Sequence, residues 1–166
     1  MYINRKGVLI LQKELYCYNC DKYNTVDIIK RNEIYVVKGE PIEIEVQICI
    51  CEGCGEELFD KELDELNIER AFDIYRKKHE LLYPEEIKAI RESYGLSQGA
   101  FSELLNWREV TLSRYEMGAV QDKDHNNTLI LLRNPENMLN ILERNNGILT
   151  PLKEKTLREK ITQLLK

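Results

Sequence analysis

The sequence predicts an α+β protein in which a small N-terminal antiparallel β module is joined by a helical connector to an all-α domain. Three observations predict it. Residues 42–50 alternate, with Ile42, Ile44, Val46, Ile48 and Ile50 on one face and Glu43, Glu45, Gln47 and Cys49 on the other, as in a half-buried strand. From Asp60 the apolar spacing changes to a period near 3.6 residues. Beyond residue 83, prolines and glycines stand at helix starts and stops rather than between strands.

The β module is read first. VLIL (8–11), YNTVDII, EIYVV and IEIEVQICI are rich in β-branched residues, and Gly39 and Pro41 mark the turn before the last of them. The connector, DKELDELNIERAFDIYRKKHELLY, places Leu63, Leu66, Ala71, Phe72, Ile74 and Tyr75 at helical spacing with no Gly or Pro before Pro84. Pro84 then opens PEEIKAIRES, where proline suits the first turn and two glutamates suit the helix dipole, and Gly95 stops it. Ser97 caps the next helix, Gly118 ends a third, and NNTLILLRN and PENMLNILER supply two more. PLKEKTLREKITQLLK forms a last amphipathic helix. The expected division is 1–67, 68–150 and a C-terminal helix over 151–166 that can serve as a dimer contact.

Composition bounds the chemistry. Hydrophobic residues make up 43% of the 166, and uninterrupted apolar runs are four or five residues long, too short to span a bilayer. The opening MYINRKGVLILQKELYC has a shorter apolar stretch than a signal peptide and no small-residue cleavage site, so the expected location is cytoplasmic. The net charge of −5 is uneven: residues 1–70 hold 9 Lys+Arg against 15 Asp+Glu, and residues 71–166 hold 15 against 14. An acidic front part suits a basic protein partner and repels phosphate, which places any nucleic-acid surface in the second part.

The cysteines carry the first chemical signal. CYNC and CEGC are two CxxC turns, each able to present two thiolates to one side of a tetrahedral ion, so Cys17, Cys20, Cys51 and Cys54 are expected to hold one structural Zn²⁺ per chain. The 30 intervening residues exceed the usual zinc-ribbon spacing and can hold two or three strands. Gly55 is expected to free backbone N–H groups for sulfur. Disulfides are disfavoured by a reducing compartment and an odd cysteine count. A redox CxxC needs a strand and a helix around it that neither turn has. Cys49 is left over, with a C-x-C pairing to Cys51 as its alternative role. His79 and His125 are far from the cysteines in sequence and are expected to face solvent.

The second signal is LSQGAFSELLNWREVTLSRYEMG, 96–118: a helix, a short turn and a helix, with Leu96, Phe101, Leu104, Leu105, Val110 and Leu112 spaced to pack a helix-turn-helix. The bland reading is any αα-hairpin. Against it, Ser97 and Gln98 open the first helix where they can meet phosphate, while Arg108, Thr111, Ser113 and Arg114 crowd the second, where base edges are reached. Trp107 and Tyr115 are read as packing residues.

From Leu96 to Gly118 this stretch resembles the Xre/Cro-type regulators without a gap, departing from their pattern at Ser102, Asn106, Trp107 and Arg108. Asn106 tolerates left-handed geometry in the turn. Joined to an N-terminal CxxC...CxxCG module, it resembles the YgiT/MqsA-type zinc-finger antitoxins over roughly residues 15–145, with Asp21 where a glycine usually follows the first pair. The resemblance implies a homodimer that binds double-stranded operator DNA through its C-terminal domain as an autorepressor. It also implies a cognate protein toxin engaged by the N-terminal zinc domain. The alternatives are a stand-alone zinc-containing transcription regulator and a zinc adaptor that binds protein only. No nucleophile–base pairing, phosphate loop or carboxylate dyad points to an enzyme.

Overall fold

The computed structural model describes residues 2–3, 9–10 and 13–166, the first four as backbone only. Two short strands, β1 (Tyr2–Ile3) and β2 (Leu9–Ile10), pair antiparallel. Val8 and Leu11, the rest of the expected VLIL strand, lie outside the described residues. The chain divides into two compact units, residues 1–75 and 76–166.

In the first unit, β3 (Glu14–Cys17), β4 (Lys22–Val37), β5 (Glu40–Cys51) and β6 (Glu57–Leu58) form an antiparallel sheet in the order β3-β4-β5-β6. YNTVDII and EIYVV, expected as two strands, are one strand of 16 residues. The polar stretch between them stays in the ladder because its side chains find partners: Lys30 donates to Glu45 at 2.7 Å and Asn32 to Glu43 at 3.2 Å across the pair. Lys38 and Gly39, both at positive φ (49° and 84°), make the two-residue turn whose twist suits a hairpin. The alternation in β5 holds for Ile42, Ile44, Val46 and Ile48, which are buried. Cys49, on the opposite face, is buried as well, because β6 pairs beside it at Leu58.

Helix α1 (Lys61–His79) begins in the first unit. Its inward positions follow the apolar spacing only in part: Ala71 is fully buried as expected, but so is Asn67, whereas Leu66 and Ile74 are exposed. Asn67 is inside because its amide accepts from Gln47 N–H (3.0 Å) and donates to Gln47 C=O (2.8 Å), completing β5 where β6 has ended.

The second unit packs α2 (Pro84–Ser93), α3 (Gln98–Leu104), α4 (Glu109–Glu116), α5 (Lys123–Leu131), α6 (Pro135–Arg144) and α7 (Pro151–Leu164) around one apolar core that includes Ile87, Phe101, Leu104, Leu112, Leu129 and Met138. Ser97, Asp122, Asn134 and Thr150 cap α3, α5, α6 and α7 by accepting backbone N–H bonds. Leu157 and Ile161 seat α7 on this core. Among the described residues, no helix is long and apolar enough to cross a membrane.

Candidate metal centre and nucleic-acid interface

The β4–β5 hairpin explains how cysteines 31 and more residues apart meet. Cys17 ends β3 and Cys20 lies in the turn that leads into β4; β4 runs out to Val37, and β5 returns to set Cys51 opposite Val26. The two CxxC turns thus arrive at the same end of the sheet. The Sγ atoms of Cys17, Cys20, Cys51 and Cys54 all lie within 4.8 Å of one another, so this group can hold a metal ion. Cys17 and Cys54 are 3.5 Å apart and Cys20 and Cys51 4.0 Å, bracketing the edge of about 3.8 Å of a tetrahedron with Zn–S bonds of about 2.3 Å. Cys49 is not in the group; it packs with Val26 and Leu58, where burial pushes its thiol pKa up.

The donor chemistry agrees with a cation. Hydrogen bonds from the Asn19 side chain and the Glu56 backbone bring the Cys54 thiol down to about 6, whereas its bond with Cys54 and burial push Cys20 up to about 12. Whichever thiolate forms first is stabilised by neighbouring thiols and opposes the next. A divalent ion removes that conflict. The Asn24 Nδ2 atom is buried with no acceptor, and a Cβ built on Gly53 would lie 3.4 Å from Cys20 Sγ and 3.5 Å from that same amide, so an unpaired N–H donor stands beside the thiols. Gly55, at φ +77°, gives its own N–H to the Cys51 carbonyl (2.8 Å), and the N–H that follows it, of Glu56, is the one that reaches the Cys54 sulfur. After the first pair Asp21 adopts φ +53° in place of the usual glycine, and its carboxylate accepts the Tyr16 hydroxyl at 2.5 Å. Asn19, Asn24 and Asp21 are the site residues that sequence reasoning missed; only the Asn inside CYNC offered a signal.

In the second unit, α3 and α4 are joined by Leu105–Arg108, with Asn106 at φ +55° making the left-handed exit from α3. Arg108 is the N-cap residue of α4 and makes no side-chain cap bond. Arg108 and Arg114 are exposed and form no internal ion pair, while Thr111 and Ser113 are half-buried on α4. Ser113 donates only a long contact to Met117 Sδ (3.8 Å). Ser97 Oγ accepts the Ala100 N–H at 3.2 Å, and the Gln98 amide donates to Glu116 Oε2 at 2.8 Å.

Glu116 is the hub of this region. Its carboxylate receives Arg91 Nε at 2.6 Å and Arg91 Nη2 at 2.8 Å, and Arg91 Nη1 donates to the Leu96 carbonyl at 2.8 Å. Burial alone would raise the Glu116 pKa, but the bonds from Arg91 and Gln98 lower it. The network fixes α2, the start of α3 and the end of α4 together. His125, expected to face solvent, instead bonds the Tyr115 hydroxyl (2.8 Å) and lies against Trp107 with ring centroids 4.2 Å apart. It braces the turn before α4 from the side of α5.

A family model described as the antitoxin component of bacterial toxin-antitoxin system, MqsA, matches residues 15–145. The match spans most of the chain, from the first CxxC turn to the end of α6, so the chain belongs to this family. No curated protein matches it.

Proposed function

With membership of that family as premise, we propose that the chain neutralises a cognate protein toxin through its first unit. In the same reading it binds double-stranded operator DNA as a homodimer through its second unit, repressing its own transcription. The metal is one structural Zn²⁺ per chain, held by Cys17, Cys20, Cys51 and Cys54. When bound, it supplies a cross-link between the two CxxC turns, and it does no chemistry on a substrate.

The observation that carries the DNA reading is the contrast between arginines. Arg91 is buried and committed to Glu116, whereas Arg108 and Arg114 are exposed at the start and in the last turn of α4 with no internal acid. With α4 in the major groove, Thr111 and Arg114, three residues apart, face the bases and Arg114 can pair bidentately with guanine. Ser97 and Gln98 remain suited to phosphate: each makes one internal bond and keeps a hydrogen to donate. Ser113 and Arg108 flank the reading face.

Competition binding on the DNA upstream of the chain's own reading frame tests this. Arg114→Ala is expected to weaken binding ten- to a hundredfold, about 1.4–2.8 kcal/mol, and to relax one base position in each half-site. Uniform loss across sequences would make Arg114 a phosphate contact, and no loss would remove α4 from the groove.

A further inference from the structure

Beside the cysteine cluster lies an open groove of about 770 Å³. Its walls come from β3 and β6, the outer strands of the four-stranded sheet, and its lining includes Leu15, Tyr16, Tyr18, Asn19, Glu56 and Phe59. The rings there are arranged rather than scattered. Tyr16 meets Tyr18 and Tyr23 edge-on, with centroids 5.1 and 5.4 Å apart. Its hydroxyl is tied to Asp21. Yet Tyr18 is 88% exposed, Phe59 75% and Tyr23 70%. Rigid, amphipathic rings left in water around a concavity are the residues that anchor protein interfaces.

The charge around the groove selects the occupant. Glu57 is matched by Arg31 at 2.8 Å, and Lys13 is held by Asp60 and Glu62. Glu14, Glu52 and Glu56 have no cation partner, and Asp21 is answered only by a neutral hydroxyl. Among the described residues, Lys22, opposite Cys17 in register, is the uncommitted cation near these carboxylates, and one ammonium does not balance four of them. Stacking rings alone would also suit nucleic acid or a membrane interface, but both bring phosphates that these carboxylates repel.

We infer that this groove docks a basic, arginine-bearing segment of the partner protein. A guanidinium fits it better than an ammonium, because its plane stacks on the tyrosine and phenylalanine rings while its edge meets Glu56 in the lining. The inference rests on the toxin-neutralising reading and assigns that activity a place on the first unit.

The test uses the full-length, zinc-loaded chain and the protein encoded by the neighbouring reading frame, measured by calorimetry. Tyr18→Ser with Phe59→Ser is expected to weaken the complex at least a hundredfold. Glu52→Lys with Glu56→Lys is expected to weaken it at least tenfold and to flatten its salt dependence. Ile34→Ser with Val36→Ser, exposed near the far turn of the β4–β5 hairpin, should stay within threefold. Unchanged zinc content establishes that the first unit of each variant is folded, and unchanged Trp107 emission establishes the same for the second. If the ring variant binds normally while the hairpin variant does not, docking is elsewhere on the first unit: the inference fails and the toxin reading stands. No binding by the unaltered chain sinks both. Self-association that disappears in the ring variant, with partner binding intact, assigns the groove to a second copy of the chain and overturns the inference.

Discussion

Replacing Glu116 with alanine removes the centre of the second unit's polar network. The carboxylate is 5% exposed and accepts three N–H bonds at 2.6–2.8 Å, two of them from one guanidinium that is itself 10% exposed. Without it Arg91 is a buried charge left with the Leu96 carbonyl and a long contact (3.4 Å) to the exposed Glu92 carboxylate, close to the situation that costs about 3–5 kcal/mol when one half of a buried pair is removed. A unit of 91 residues has about 5–14 kcal/mol of stability in all, so the loss is a large share. Trp107 is the single tryptophan and lies in this unit, so its fluorescence in urea reports this unit's unfolding alone. At about 1–3 kcal/mol per molar urea, the midpoint should fall by about 1–5 M. Arg91→Met with Glu116→Met should recover most of the loss, leaving about 1–3 kcal/mol for the unpaired Leu96 carbonyl. The pH dependence has a definite sign. Because the folded-state pKa of Glu116 is depressed, its contribution is complete above the unfolded value of about 4.3 and disappears as pH falls through the folded one. A midpoint shift below about 0.3 M for Glu116→Ala, equivalent to under about 1 kcal/mol, would refute the argument that this pair holds α4 in place.

Three further outcomes follow from the first unit and the division of the chain. Cys17→Ser, Cys20→Ser, Cys51→Ser or Cys54→Ser should abolish stoichiometric zinc and unfold mainly the β module, since structural zinc supplies on the order of 10 kcal/mol; Cys49→Ser should keep one Zn²⁺ by elemental analysis. Asn67→Leu strands the N–H and C=O of Gln47 and should destabilise the first unit by about 2–4 kcal/mol, read as faster amide exchange at Gln47. A fragment from residue 68 onward should fold and bind operator alone, because it contains the whole second unit including the Arg76 bond to the Gly118 carbonyl, and chelation should leave its Trp107 transition unchanged.

What the sequence made legible was governed by local rules. Helices opening at Pro84 and Pro135, the Ser97 cap, the Gly95 and Gly118 stops and the left-handed Asn106 depend on neighbours in the chain, and each stands where its residue type puts it. Four cysteines in two CxxC turns were legible as one site for the same reason. What escaped was decided across the fold. The fusion of two strands into β4 depends on Glu43 and Glu45 answering Asn32 and Lys30 from the next strand. The burial of Asn67 depends on where β6 ends, and the attachment of Gln98 to Glu116 on how α3 meets α4. Asn19 reaches Cys54, and Asn24 comes to lie beside Gly53 with Cys20, through three-dimensional proximity that spacing does not encode.

The position of the metal ligands along the chain also sets an order of events during synthesis. All four precede residue 55, and the first unit is complete at Tyr75. The 91 residues still to be made take roughly 5–18 s at about 5–20 residues per second, whereas a hairpin like β4–β5 closes in about 1–10 μs. The β module therefore has time to collapse while the arginines of α4 are still untranslated. With zinc as the proposed ligand of the four thiols, a chain made under zinc shortage would emerge with its latter half intact and its front half unfolded, and so exposed to proteases, coupling the lifetime of each copy to the metal supply at the moment of its birth.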